Sequence, residues 1–461
     1  MKRALPALAL SFLLALFSCG DPAVPEVKPV IPVLPPPPAP EPQEPEPGTE
    51  DPKTLEINIS DPYTDLSPGE SMTLHCTLSG TEFDQAKSYN LLFNSSNPSV
   101  ATVDGSGKVV AIARGSTVVR ISEQESGAWT ERKFYVVDLS PVKQAYSSGF
   151  KFTCGHTLYY KAVVQSWDFF DDYLYACQVC GSPHTLTFTR KPVHSQAPQA
   201  YMHLKYYGHG DNMFVERSSE GDWLWTPNYG TLESGSTNRY TDSQVLSRVK
   251  FTPGLTVQPS FSAHNYVLPG MKRIIAACDS DNGSLGIWCR DASGKAWFYV
   301  YDIEAVKAAS AENIQLAYNV SYGSPVVTEK PIVKAVNLAK HTPLLKFQMP
   351  FNYVPQGYDW HHGKLWFFRG GGAEADQVEA GTAKNWATVY LINQQGKTIE
   401  TAAVPWVDNL ALLASEGLTD LGYFEAEGVK IKDGMLYLGF ASKDAGASPE
   451  RRVNIFKYPL D

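Results

Sequence analysis

The sequence predicts an all-β protein in two folded parts, a β-sandwich followed by a radial array of small sheets, a β-propeller of five blades. Three observations carry that expectation. Short runs alternate polar and apolar residues over most of the chain, where a helical protein would show a 3.6-residue period. Clusters of Gly, Pro, Asn and Asp punctuate those runs. Five strand pairs built to a common plan recur between residues 140 and 461. With 43% hydrophobic and 12% aromatic residues, a chain of 461 residues can build more than one core.

Before the strands begin, Lys2 and Arg3 precede the apolar run Ala4–Phe17, which ends in Leu16-Phe17-Ser18-Cys19. Basic residues, an apolar segment shorter than about eighteen residues and a small residue at its end describe a secretory signal rather than a spanning helix. The arrangement resembles a bacterial lipoprotein signal. That resemblance implies removal of residues 1–18, lipidation of Cys19 and an exported protein held on the bacterial envelope, at the outer membrane or cell surface. No second stretch approaches the roughly eighteen apolar residues of a spanning helix, so the lipid is the expected membrane contact. Residues 19–53 join this anchor to the folded parts. Thirteen of the thirty-three residues Asp21–Lys53 are Pro. Such a stretch favours extended polyproline II at about 3.1 Å per residue, a semi-rigid stalk. Loss of Lys2 and Arg3 with the signal takes the formal charge from −9 to −11. An acidic chain without a Lys/Arg cluster argues against nucleic acid and against anionic lipid surfaces as partners.

Residues 54–138 read as short strands separated by turns. Leu66-Ser67-Pro68-Gly69-Glu70 is a turn, and Ser71–Leu78 alternates after it. Asn94–Ser122 then carries Ser95-Ser96-Asn97-Pro98, Val100-Ala101-Thr102-Val103-Asp104, Gly107-Lys108-Val109 and Ala113-Arg114-Gly115. These motifs resemble the bacterial immunoglobulin-like group 2 domain, which implies a β-sandwich acting as a spacer in a surface protein.

Residues 140–461 hold the repeat. Val163–Val179, Val354–Gly370 and Phe424–Phe440 each place Gln or Glu before Ser or Gly, then a strand, a polar turn and a second strand beginning Leu-Tyr or Leu-Trp. Arg273–Asp291, turning at Asn282-Gly283, and His209–Thr226, turning at Glu220-Gly221-Asp222, complete the five. Radial repetition of small sheets explains this spacing; a double β-sandwich is the competing arrangement. Only Ile303–Ala311 and Val407–Glu416 look helical. The elements Gln165-Ser166, Gly208-His209-Gly210, Leu224-Trp225, Gln356-Gly357 and Glu425-Ala426-Glu427-Gly428 resemble, in order, the propeller family of helveticin-type bacteriocins and phage or teichoic-acid-associated proteins. The resemblance implies a five-bladed propeller linked to cell surfaces, without fixing one chemistry.

In a propeller the start of each innermost strand faces the central channel. Gln165, His209, Gln356 and Glu427 are therefore the candidate ligand-binding residues, able to orient a sugar through amide and carboxylate hydrogen bonds or to satisfy one another and water. Asp168, Asp359 and Glu427 are the carboxylates a glycosidase would need. Simple alternation, however, turns Asp168 and Asp359 away from the Gln three residues earlier, so no catalytic residue is assigned. Cys154, His156, Cys177, Cys180 and His184 offer zinc ligands, yet paired Cys-x2-Cys spacing occurs once; a disulfide from Cys154 or plain packing competes. A two-residue turn at Asn282-Gly283 would set Cys278 opposite Ile287. Tyr201, Tyr206, Tyr207, Trp223, Trp225, Trp360 and Trp366 can stack on sugars, though packing between sheets is their commoner use. There is no Gly-x-Ser-x-Gly elbow, phosphate loop or dinucleotide fingerprint. The expected function is non-catalytic recognition of a glycan or other surface or extracellular ligand, with no resident cofactor assigned and calcium or zinc as the cations to test. A propeller hydrolase acting on carbohydrate or lactone, and a structural or assembly protein with protein partners, are the alternatives.

Overall fold

The computed structural model describes residues 54–460 other than 147–150, 171, 182–183, 194–198, 323–324, 420–421 and 444–449, and the backbone but not the side chains of 151–155. The signal segment, Cys19 and the Pro-rich linker lie outside the described residues. What is described is all-β with short helices.

The first part stacks Asp65–Leu66, Trp129–Val136, Gly115–Glu123 and Leu91–Ser95 in one sheet. Ser71–Thr73, Lys108–Ala111 and Ala101–Val103 form another, and Glu56–Ile59 pairs with Cys76–Ser79. Inward-pointing residues of each strand meet in one core of Ile57, Leu74, Val109, Val119, Ile121, Phe134 and Val136. Alternation of buried and exposed positions along Gly115–Glu123 is what one solvated and one buried face requires.

Five sheets follow, each of four strands or more, antiparallel except for one parallel pair in each of the first two. Their first strands are β1 (Val164–Phe170), β2 (Phe214–Ser218), β3 (Lys272–Asp279), β4 (Gly357–His361) and β5 (Phe424–Lys432). Each sequence repeat is a hairpin opening one of these sheets. The fifth sheet takes three strands from the C-terminal end and its fourth, Lys151–Thr157, from the beginning of the region, paired with Arg451–Pro459.

Successive sheets share apolar cores. Tyr175, Phe188, Val215 and Leu224 join the first two; Trp225, Leu246, Ile274 and Ile287 the second and third; Trp288, Phe298, Tyr358 and Trp360 the third and fourth; Trp366, Phe368, Phe424 and Phe440 the fourth and fifth. Trp167, Leu174, Val453 and Ile455 join the fifth back to the first. Most of the expected aromatic stackers are therefore packing residues: Tyr207, Trp225, Trp360 and Trp366 are fully buried. Burial of each such ring stabilises the fold by roughly 1.5–3 kcal/mol.

Polar struts run the same circuit. Asp168 Oδ2 on β1 accepts from Val215 N on β2 (2.8 Å), and Asn212 Nδ2 before β2 donates to Ala276 O on β3 (2.8 Å). Asp279 Oδ2 on β3 accepts from His362 N beside β4, and Asp359 Oδ2 on β4 from Ile431 N on β5, each at 2.7 Å. Lys432 on β5 pairs with Asp168 at 2.8 Å.

The short α-helices include Ile303–Ala308, Ala375–Glu379 and Leu410–Ser415, and Pro259–Phe261 and Leu338–Lys340 are single 3₁₀ turns. The turn at Asn282-Gly283 differs from expectation. Asp279 pairs with Ser284, leaving a four-residue turn, and Cys278 faces Leu285 rather than Ile287. The Asp279 carboxylate explains the wider turn, since it accepts from Asn282 Nδ2 at 2.9 Å.

The sandwich docks on the hairpin turn after β4 instead of standing apart as a spacer. Tyr63 meets Trp360 edge-on at 5.4 Å, Asp65 Oδ1 meets His362 Nδ1 at 3.1 Å, and Glu70 pairs with the buried Lys364. Arg114 Nη2 donates to Pro459 O at 2.9 Å.

Candidate functional site

The first strands are irregular where they begin. Register slips between Val164 and Ser166 on β1, between Lys272 and Ile275 on β3, and between Ala426 and Val429 on β5. Gln165, Arg273 and Glu427 therefore sit at bulges, which re-aim side chains and break alternation. Asp168 accordingly lies beyond a bulge, not three regular steps from Gln165. Gly357 (φ 143°) and Gly428 (φ 140°) let β4 and β5 touch, because a Cβ on Gly357 would lie 2.6 Å from Gly428 Cα. The recurring Gln-Gly and Glu-Gly dipeptides thus record a backbone approach that a larger residue would block.

Three of the four sequence-predicted residues join one polar group. Glu427 is 3% exposed. Burial, followed by the nearby charges of Glu425 and Asp211, pushes its carboxyl well above the usual range. Gln356 Nε2 donates to Glu425 Oε1 at 3.2 Å. His209 Nε2 lies 3.9 Å from Asp211 Oδ1. Gln165 is half-buried at the start of β1 and makes no hydrogen bond to the other three.

Sequence reasoning missed Asp211 and Arg273, which form a bidentate pair at 2.9 Å for both contacts. Burial alone would raise Asp211, but the Arg273 charge holds it below the usual range. Val215 and Ile431 donate to equivalent Asp residues, so counting back four residues aligns Asp211 with Glu427 and leaves His209 two residues out of step. The neighbouring Asp211-Asn212 was the available signal; Arg273 shares no residue type with its counterparts.

The main concavity lies elsewhere on the same five strands. A cavity of 660 Å³ is lined by residues of all five first strands, and none of the four sequence-predicted residues lines it. Its apolar wall includes Phe169, Phe170, Phe214 and Tyr437, with Phe169 and Tyr437 edge-on at 5.6 Å. Its polar wall carries Asp168, Glu216, Arg217, Asp359, Lys430, Lys432 and Lys457. The Arg217 guanidinium lies 4.9 Å over the Phe170 ring. Burial lifts the Asp359 carboxyl to about 7 against the charge of Lys430 and the Ile431 amide, with Asp168 adding to the rise. Aromatic faces beside several fixed charges in one hollow are the ingredients of a site for a polar ligand with apolar faces.

At the cavity wall two hairpin turns bring together Asp279, Asp281, His361 and His362, whose ligand atoms all lie within 4.8 Å of one another. His362 Nε2 is 3.1 Å from Asp281 Oδ2, and His361 Nδ1 is 3.8 Å from Asp279 Oδ1. Burial disfavours a charged His362, but its bond to Asp65 and the surrounding carboxylates outweigh that and push it up to about 9.

The cysteine expectation fares differently. The Cys154 side chain lies outside the described residues. Cys177 and Cys180 are buried free thiols on one strand, kept protonated by burial. His184 is occupied by the carbonyls of Gly208 and Asn238.

No curated protein matches the chain. Similar solved structures include the tail fibre of Staphylococcus aureus phage P68 (14% identity, 68% of this chain and 52% of that one, TM-score 0.45). The chain thus spans about half the length of that fibre. Polysaccharide lyase Uly1 (10% identity, 70% and 96%, TM-score 0.26) and the WD40 domain of Toxoplasma gondii coronin (10% identity, 68% and 88%, TM-score 0.28) are also similar. Residues 55–131 match the family Bacterial Ig-like domain (group 2), and this part of the chain is such a domain.

Proposed function

We propose that the five sheets are the blades of a β-propeller and that this propeller binds a glycan or other extracellular ligand without turning it over. The observation that carries the reading is the 660 Å³ cavity, which residues of all five first strands line and in which the aromatic rings of Phe169, Phe170, Phe214 and Tyr437 stand beside charged hydrogen-bonding groups. The circuit of shared cores and struts supports the propeller, as does the joining of both ends of the region in the fifth sheet. A surface location is supported by the bacterial Ig-like domain and by the lipoprotein-like signal ending at Cys19. No helix among the described residues is long and apolar enough to cross a membrane. A hydrolase is the second reading, favoured by Asp359, whose carboxyl is lifted to about 7 near the charge of Asp168.

The test is a glycan and polysaccharide array probed with the full chain, with and without calcium, alongside Phe170→Ala and the pair Gln356→Ala and Glu427→Gln. A saturable hit lost in Phe170→Ala, with no product formed, supports the reading. Product formation that Asp359→Asn abolishes replaces it with the hydrolase. Loss only in the Gln356 and Glu427 variants moves the site to the strand starts.

A further inference from the structure

We propose that Asp279, Asp281, His361 and His362 form a binding site for a zinc-class divalent cation, with Asp65 as the group that orients His362. Atoms held by one such ion at about 2.0–2.2 Å lie roughly 3.0–3.6 Å apart. The 3.1 Å between His362 Nε2 and Asp281 Oδ2 already meets that spacing, and the 3.8 Å between His361 Nδ1 and Asp279 Oδ1 is close to it.

A second observation points to an ion independently of the clustering. Asp279 is 1% exposed, and its Oδ1 has no hydrogen-bond partner among the described residues, while Oδ2 accepts from His362 N and Asn282 Nδ2. His361 Nδ1 is too distant to satisfy that oxygen. Buried carboxylate oxygens are seldom left unpaired, and a cation facing His361 would fill the gap.

The surroundings of His362 fit the same assignment. Asp65 Oδ1 lies 3.1 Å from Nδ1, so a proton held there leaves Nε2 free as a ligand facing Asp281. His362 also holds φ 46° ahead of Gly363 at φ 85°, a turn position that Asn or Gly fills at lower cost. The matching turn after β5 uses Asp433-Gly434. A protonated His362 bridging Asp65 and Asp281 would account for those two contacts alone; it leaves Asp279 Oδ1 and His361 unexplained. Two imidazole nitrogens with two carboxylates suit zinc, cobalt or nickel better than calcium or magnesium, which prefer all-oxygen shells. The site is independent of whether the cavity binds a glycan. It would tie the third and fourth sheets together and, through Asp65, fasten the Ig-like domain to them.

The experiment is titration of the tag-free, chelator-stripped full chain with Zn²⁺ and with Co²⁺, followed by calorimetry and by cobalt absorption. One saturable equivalent is expected, with a cobalt spectrum of nitrogen and oxygen ligands. His361→Ala and Asp281→Asn should each weaken binding by about 100-fold or more, and Asp65→Asn by about 10–100-fold. Asp281 is 62% exposed at its side chain, so its variant should keep the unfolding midpoint of the stripped parent and separate lost ligation from lost folding. Absence of saturable binding to the parent, or unchanged affinity in His361→Ala and Asp281→Asn, overturns the proposal.

Discussion

At the scale of single residues, buried acids are sorted by what compensates them. Asp168 and Asp279 are struts that take backbone amides from the next sheet, whereas Glu427 is buried beside other acids without a cation of its own. Because its folded carboxyl titrates well above its unfolded value, the unfolded chain ionises first as pH climbs past the ordinary carboxylate range. The stability from keeping Glu427 neutral is complete below that range and lost as pH rises toward the folded value. Glu427→Gln should therefore raise the melting temperature by at least about 2 °C at pH ~8 and leave it nearly unchanged at pH ~4. Melting curves across that interval check it; an unaltered slope of stability against pH would count against a neutral Glu427. The same residue shows what sequence can and cannot reveal. Glu427 and Gln356 were legible because they precede glycines that recur, but the Asp211–Arg273 pair was not, since neither keeps the residue type of the repeat and only a fold places them together.

At the scale of elements, hairpins were legible and their irregularities were not. Alternation and turn residues located all five opening hairpins, and the expected helices Ile303–Ala311 and Val407–Glu416 are present in shortened form as Ile303–Ala308 and Leu410–Ser415. The bulges at Gln165, Arg273 and Glu427 escaped because a bulge changes hydrogen bonding without changing composition. So did the four-residue turn after Asp279, whose width is set by a side-chain carboxylate. The cavity was missed for a related reason: its walls come from the strand ends, where Phe169, Phe170 and Tyr437 read as ordinary strand residues. Gly428→Ala tests the element directly. With φ 140° and the Trp167 ring against the position, a methyl group should destabilise the chain by about 2–4 kcal/mol, read as a lower urea midpoint. Gly434→Ala meets no atom within 4 Å and bears only the cost of its φ of 69°, so it should lose about 1 kcal/mol.

At the scale of the whole molecule, the Ig-like domain is part of the folded unit. Residues 53–461 cluster as one compact body, and Lys364, 2% exposed, finds its counter-charge on Glu70 of that domain. Lys364→Ala should cost about 2–3 kcal/mol, because Glu70 then loses its partner while remaining half-buried. Lys364→Met with Glu70→Leu should recover most of the loss, and a double-mutant cycle on unfolding midpoints measures the coupling. Nothing in the sequence signals this docking: Glu70 follows a turn and Lys364 opens a strand just after one, and a charge beside a turn reads as solvated until its partner is seen.

The strand Lys151–Thr157 completes the sheet that Arg451–Pro459 enters last. During synthesis, therefore, the earliest strand of the region must wait for nearly three hundred later residues before its partner exists. Until then the edge of Met435–Lys443 that Arg451–Pro459 will cover stays unpaired, an open edge of the kind that invites pairing between chains. A chain terminated before Arg451 should accordingly accumulate as aggregate, and adding a peptide of residues 451–460 during refolding should return soluble monomer, measured by size-exclusion chromatography.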